Sequence, residues 1–152
     1  MKNLNLLTNI LLAGLIAGTV DIIAAIFLLA GGNAIATLKY IAGGAFGKAA
    51  SEGGNEMVAY GLLFHYIIAM SWTTAYFLLY PKLAFLRWNK WLNAVAYGII
   101  VWSLMTFVVL PMTQITQRPF NWENALKNVV ILMFSIGLPV SLLTDRFYRK
   151  SE

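Results

Sequence analysis

The chain has 152 residues, of which 60% are hydrophobic and 11% charged, and its formal net charge is +5. A soluble domain carries about a quarter charged residues, so this composition excludes an ordinary water-soluble protein and indicates one that a bilayer solvates. The absence of cysteine excludes disulfides, thiolate metal sites and cysteine nucleophiles. The basic residues lie in short loops between apolar runs, so they do not indicate binding to nucleic acid.

Four apolar runs have the roughly 20 residues that a helix needs to cross a bilayer. They cover about 7–30, 57–80, 92–110 and 125–143. Gly31, Pro81 and Pro111 end the first three runs, and the asparagines at 121 and 124 offer caps for the fourth. The sequence therefore predicts an all-α protein, a single transmembrane domain over residues 1–152 that forms an integral four-helix bundle.

The segment between the first two runs, residues 33–55, is too short and too rich in glycine to span. Asn33 is a good helix cap, and Gly43 and Gly44 are expected to stop a short helix at about residue 42. This helix lies in the membrane interface or dips back as a re-entrant segment, which is tolerated only where protein or water covers its backbone. Both positions remain open.

Loop charge predicts the orientation, because loops rich in lysine and arginine stay in the cytoplasm. Four spans place both termini and the loop at 81–91 on one side. That side holds seven basic residues, namely Lys2, Lys82, Arg87, Lys90, Arg146, Arg149 and Lys150. The other side holds four, namely Lys39, Lys48, Arg118 and Lys127. Both termini are therefore expected in the cytoplasm.

Two ionisable residues lie inside the predicted spans, where a charge costs at least about 2.5 kcal/mol. Asp21 lies nine residues before the end of the first span, roughly 14 Å below the outer boundary at 1.5 Å per residue. His65 lies eight residues into the second span, at roughly 12 Å by the same counting. The two side chains can meet if the helices pack with these faces together.

Helical spacing places further residues near this pair. Gly14 and Gly18 share a stripe with Asp21 and form a GxxxG pattern that lets a neighbouring helix approach closely. Trp72 and Tyr76 share a face with His65, and two hydroxyls of the later spans fall at a similar depth, Ser103 and Ser135. The sequence predicts an outward-facing polar pocket, and Pro139 is expected to kink the fourth span.

Two interpretations of the pair of Asp21 and His65 remain open: a buried polar contact that fixes helix packing, or a site that binds or moves something. Glu52, Glu56 and Arg118 fall at the expected mouth of the pocket, where a solvated rim is the simpler interpretation. Metal-binding, phosphate-binding and catalytic motifs are absent from the sequence, so neither a metal site nor a cofactor is expected.

Three segments carry a resemblance to a known group of proteins. They are residues 13–21 (AGLIAGTVD), residues 40–50 (YIAGGAFGKAA) and residues 64–66 (FHY). Together they resemble small bacterial inner-membrane proteins of the YagU-like family, to which no activity is assigned. The resemblance covers most of the chain and implies a four-helix protein of a bacterial inner membrane.

Three hypotheses for function follow. The first is a protein that binds or transports a small solute or proton through the pocket at Asp21 and His65. Since four helices make a narrow bundle, transport would call for a homodimer. The second is a structural or accessory subunit whose polar residues only specify packing. The third is a membrane-embedded enzyme in which the pair acts as acid and base on a lipid-like substrate.

Overall fold

The chain was analysed as a computed structural model, which describes residues 5–116 and 119–149. Within these ranges all regular structure is helical, which confirms the predicted all-α class. The long helices are α1 (Leu6–Leu29), α4 (Asn55–Leu79), α5 (Lys90–Met112) and α6 (Trp122–Arg149), and the short ones are α2 (Ala34–Phe46) and α3 (Ala49–Glu52). By length and composition, the four long helices can each cross a membrane.

Asparagine caps begin several of these helices. The Asn33 side chain accepts a hydrogen bond from the backbone N–H of Ala36, and Asn121 accepts one from Asn124. Asn5 and Asn89 do the same for α1 and α5. An asparagine oxygen satisfies one of the backbone donors that the first turn of a helix leaves free. The predicted caps of α2 and α6 are thus confirmed.

One predicted helix end was wrong, and another helix extends beyond its predicted span. Helix α2 continues through Gly43 and Gly44 to Phe46, because glycine weakens a helix without breaking it. It ends at Gly47, whose φ of 58° suits glycine best. Helix α6 continues beyond the predicted span, which ends at residue 143, to Arg149, and an interhelical hydrogen bond engages the Asp145 side chain in its last turns.

Contacts among the long helices centre on α1 and α6, and the Tyr97 hydroxyl of α5 bridges to α4 by donating a hydrogen bond to the carbonyl of Trp72. Helix α1 packs against α4 and α6, and α6 packs against α5. The backbones of α4 and α5 hardly approach each other, although these helices are consecutive in the chain. Helix α2 packs closely on α4, where a Cβ on Gly61 would overlap the backbone of Leu38.

The two ends of the bundle differ. The end that holds Asn5, the loop at 80–89 and Arg149 is called the terminal end, and the end that holds α2, α3 and the loop after α5 is called the loop end. Large apolar side chains cover the outer faces between the two ends, for example Leu15, Ile67 and Val108. These faces suggest a lipid environment.

Three of the long helices contain a π-helical turn. These turns cover Ala25–Leu29 in α1, Met105–Val109 in α5 and Met133–Gly137 in α6. The turn in α6 lies just before Pro139, which has no N–H to donate to the carbonyl of Ser135 and whose ring crowds that carbonyl. The disruption expected at Pro139 therefore takes the form of a wide turn.

Candidate functional site

A cavity of about 420 Å³ lies within the loop-end half of the bundle. All four long helices, α2 and the loop after α5 contribute to its wall. Most of the lining side chains are apolar, among them Met105 and Ile136. Tyr40 and Ile67 line the cavity and are 53% and 52% exposed, so it reaches the outer surface of the bundle. Ile67 lies on the outer face of α4, so the cavity opens sideways beside this helix.

Asp21 forms the acidic part of the cavity wall. The Ser135 hydroxyl, which is 1% exposed, donates a hydrogen bond of 2.6 Å to Asp21 Oδ1 and so links α6 to α1. Asp21 itself is only partly buried and lines the cavity. Its second oxygen, Oδ2, has no hydrogen-bond partner within residues 5–116 and 119–149. This oxygen is an acceptor that a molecule in the cavity can use.

His65 forms the second polar part of the wall. Its Nε2 lies 2.7 Å from the carbonyl oxygen of Gly18 in α1. Helix α4 can come this close to α1 because Gly18 has no side chain. A carbonyl oxygen only accepts, so Nε2 carries a hydrogen and donates it. In the neutral ring, Nδ1 is then an acceptor.

The position of Nδ1 follows from its accessibility. Nδ1 has no hydrogen-bond partner among the described residues. Every side-chain nitrogen or oxygen that is sealed from solvent in the described part of the chain does have a partner, so Nδ1 is accessible. His65 is 8% exposed and lines the cavity. Nδ1 therefore reaches the cavity space.

Asp21 and His65 lie at one cavity without a direct hydrogen bond in the described part of the chain. Each has a separate partner, Ser135 for the carboxylate and Gly18 for the ring. Their free acceptors are Asp21 Oδ2 and His65 Nδ1, and these define the polar end of the cavity.

The other residues predicted for the pocket divide into two groups. Trp72 lines the cavity, two turns along α4 from His65. Tyr76 is buried outside the cavity wall and donates a hydrogen bond to Ser141. The Ser103 hydroxyl donates to the carbonyl of Ile99 in its own helix, at 2.8 Å, and does not line the cavity.

The predicted packing glycines lie where α1 meets α4. A Cβ on Gly14 would overlap Met70, and one on Gly18 would lie 3.0 Å from ring carbons of Tyr66. Nearby, the hydroxyls of Thr19 and Tyr66 share a hydrogen bond of 2.8 Å across the same interface. Small residues thus bring these two backbones close together.

The residues expected at the pocket mouth do not line the cavity. Glu52 and Glu56 are exposed at the loop end, and Glu56 accepts a hydrogen bond from the backbone of Gly54. Arg118 lies outside the described residues. In the part of the chain that the structure covers, no three histidine, aspartate or glutamate side chains come close enough to hold a metal ion.

A second polar cluster lies at the terminal end. The Tyr80 hydroxyl donates to Asp145 at 2.7 Å, and Arg149 Nε donates to the same oxygen at 2.8 Å. Asp145 is 4% exposed. The Ser141 hydroxyl, which accepts from Tyr76, donates to the carbonyl of Lys90 at 2.8 Å. These contacts link the terminal ends of α4, α5 and α6.

The environment of Tyr80 favours its neutral phenol. Burial raises the pKa of Tyr80 well above its ordinary value, and the Asp145 carboxylate that accepts its hydrogen bond raises this pKa further. The Tyr80 ring also stacks on Tyr148, with centroids 5.2 Å apart. The cluster therefore depends on a protonated hydroxyl.

Sequence reasoning missed this cluster because the apolar run of the fourth span ends before Asp145 and Arg149. One signal was present: Tyr76 and Tyr80 lie four residues apart, as do Ser141 and Asp145, so each pair shares a helix face. Matching these two faces requires knowing that α4 and α6 meet. No protein-family model, curated protein or solved structure matches this chain.

Proposed function

We propose that this chain is an integral membrane protein that binds a lipid-like amphiphile in the cavity between α4 and α5. Four helices of sufficient length and apolar outer faces support the membrane part of the proposal. The location is a bacterial inner membrane with both termini in the cytoplasm. The bias of basic residues toward the terminal end and the resemblance to YagU-like proteins support this location.

The observation that carries the proposal is the apolar wall of a cavity with a lateral opening. Its volume of about 420 Å³ falls within the usual range of ligand pockets, about 300 to 1,000 Å³. The opening lies beside Ile67 on the outer apolar face of α4, so a molecule dissolved in the bilayer can enter without crossing water. An alkyl chain matches the lining of Ile67, Met105 and Ile136.

A hydrated solute fits this cavity less well. An ordered water needs two to four polar partners, and most of the side chains that line the cavity are apolar. Transport of a polar solute or a proton would require polar groups along the rest of the wall. The enzyme hypothesis requires the same binding step, since a lipid-like substrate would have to occupy this cavity.

One contact favours a second candidate function, an accessory subunit in which polar residues only fix helix packing. The hydrogen bond from Ser135 to Asp21 joins two helices in the way that hydroxyls commonly do inside membranes. Under this alternative, no molecule need enter the cavity. The two candidates therefore differ in whether the cavity is occupied.

Photo-cross-linking in phosphatidylcholine vesicles distinguishes them. The probe is a hexadecanol analogue with a diazirine in the middle of its chain, and adducts on the native chain are located by mass spectrometry. We expect adducts on the cavity faces of α4 and α5, and we expect excess hexadecanol to suppress them. Adducts spread over outer faces such as Leu15 and Val108, unaffected by the competitor, would contradict the proposal.

A pair of variants controls for non-specific labelling. Ala25 lines the cavity, so Ala25→Phe is expected to fill space and abolish the competed adducts. Ile23 is 50% exposed on the outside of the same helix, so Ile23→Phe should leave those adducts unchanged. Equal labelling of both variants would also contradict occupation of the cavity.

A further inference from the structure

We infer that the head group of the bound amphiphile is a hydrogen-bond donor, a hydroxyl or an ammonium group, held by Asp21 Oδ2 and His65 Nδ1. This inference rests on the proposed function and specifies the ligand of the same site. It depends on which polar atoms in the cavity are already engaged in hydrogen bonds.

His65 presents only an acceptor to the cavity. The Gly18 carbonyl takes the hydrogen on Nε2 at 2.7 Å, which leaves Nδ1 of the neutral ring with a lone pair. Because Gly18 has no side chain and a Cβ there would lie 3.0 Å from the Tyr66 ring, the close approach of α1 and α4 fixes this arrangement. A ligand donor thus finds an acceptor here, whereas a ligand acceptor does not.

Asp21 presents a second acceptor. Ser135 donates to Oδ1 at 2.6 Å, and Oδ2 is left for the cavity. The bond that this oxygen accepts from an ammonium group is charge-assisted and about twice as strong as a neutral one. Two acceptors from different helices therefore line one cavity.

The rest of the wall does not favour an anionic head group. Among the described residues, no lysine or arginine lines the cavity, so a carboxylate or phosphate would face Asp21 without a counter-charge. The Thr113 hydroxyl already donates to the carbonyl of Leu110 at 2.7 Å. Tyr40 is on the exposed rim, and Trp72 is seven residues or about 10 Å along α4 from His65.

Head-group competition tests the inference. The competitors share a hexadecyl chain and differ only at its end: hexadecanol, hexadecylamine, hexadecanoate, methyl hexadecanoate and hexadecane. Each competitor is tested for displacement of the photo-probe from the native protein in phosphatidylcholine vesicles. The pH is chosen so that the amine is protonated and the acid ionised. We expect the alcohol and amine to displace it at about one tenth of the mole fraction that the ester or hydrocarbon needs, the ratio that about one hydrogen bond gives.

The variant Asp21→Asn separates head-group recognition from a general preference for polar lipids. Its amide oxygen can still accept from Ser135, while its NH₂ group turns a donor toward the cavity. We expect the alcohol and amine to lose their advantage over the ester in this variant. Unchanged displacement by hexadecane would show that the cavity has kept its shape.

The outcomes distinguish the inference from the proposal beneath it. If no competitor displaces the probe, the proposed binding function fails. If all five displace it equally, or if hexadecanoate is the strongest, binding stands and the head-group inference is overturned. An alcohol and amine preference that persists unchanged in Asp21→Asn would also overturn it.

Discussion

The buried carboxylate at the terminal end allows a stability change to be worked out from the structure. Asp145→Ala removes the acceptor of the Tyr80 hydroxyl, a residue that is only 1% exposed. A buried donor left without a partner costs about 1 to 3 kcal/mol. Arg149 adds little, because its side chain is 61% exposed and can turn to solvent. We therefore expect unfolding free energy to fall by about 2 kcal/mol.

Reversible unfolding in mixed micelles, followed by circular dichroism, measures this change. A double-mutant cycle with Tyr80→Phe isolates the pair. Since phenylalanine leaves no hydroxyl without a partner, Asp145→Ala should cost about 1 to 2 kcal/mol less in the Tyr80→Phe background. Asp145→Asn should be milder than Asp145→Ala, because the amide oxygen still accepts the hydrogen bond from Tyr80.

The chain supplies a matched control for this experiment. Glu123 and Lys127 form an ion pair of 2.7 Å in the same helix, with the same four-residue spacing, and both side chains are largely exposed. Glu123→Ala should leave unfolding unchanged within error, since exposed pairs add little. If Asp145→Ala is as neutral as Glu123→Ala, or if the cycle shows no coupling to Tyr80, the structural role of the cluster is refuted.

Three other predictions use the same unfolding assay. Gly61→Ala should destabilise the protein by about 1 to 3 kcal/mol, because the added Cβ would overlap the Leu38 backbone. Gly43→Ala should be tolerated, because its Cβ would meet its neighbours at 3.9 Å. Equal effects of the two variants would count against close packing of α2 on α4. Ser135→Ala should cost about 0.6 to 1.7 kcal/mol, the range for hydrogen bonds between membrane helices, and a stabilising effect would contradict the contact with Asp21. The pKa of Tyr80 is raised by burial above its usual value of about 10, so the unfolded chain ionises first and stability should fall above that pH by at most about 1.4 kcal/mol per pH unit. Tyr80→Phe should fall less steeply, and parallel profiles would exclude this linkage.

Hydropathy predicted the positions of the long helices because each must present about 20 apolar residues, whatever its neighbours are. The caps at Asn33 and Asn121 were equally local, since a cap depends on a few adjacent residues. Depth counting also placed Asp21 and His65 at similar levels, and both line one cavity. These features depend on position along the chain alone.

The lateral opening depends on which helices pack together, and the sequence pattern does not specify partners. Consecutive helices are usually neighbours, yet the backbones of α4 and α5 hardly approach each other. Ser103 illustrates the same limit: its depth matched the pocket, but its hydroxyl bonds to Ile99 within α5. The tautomer of His65 likewise depends on the carbonyl of Gly18 in another helix.

A crystal structure grown from a lipid mesophase containing hexadecanol tests the central claim most directly. The account predicts elongated density between α4 and α5, with its hydroxyl at hydrogen-bond distance from Asp21 and His65. A structure in which α4 closes against α5, or in which ordered water fills the cavity, would contradict it.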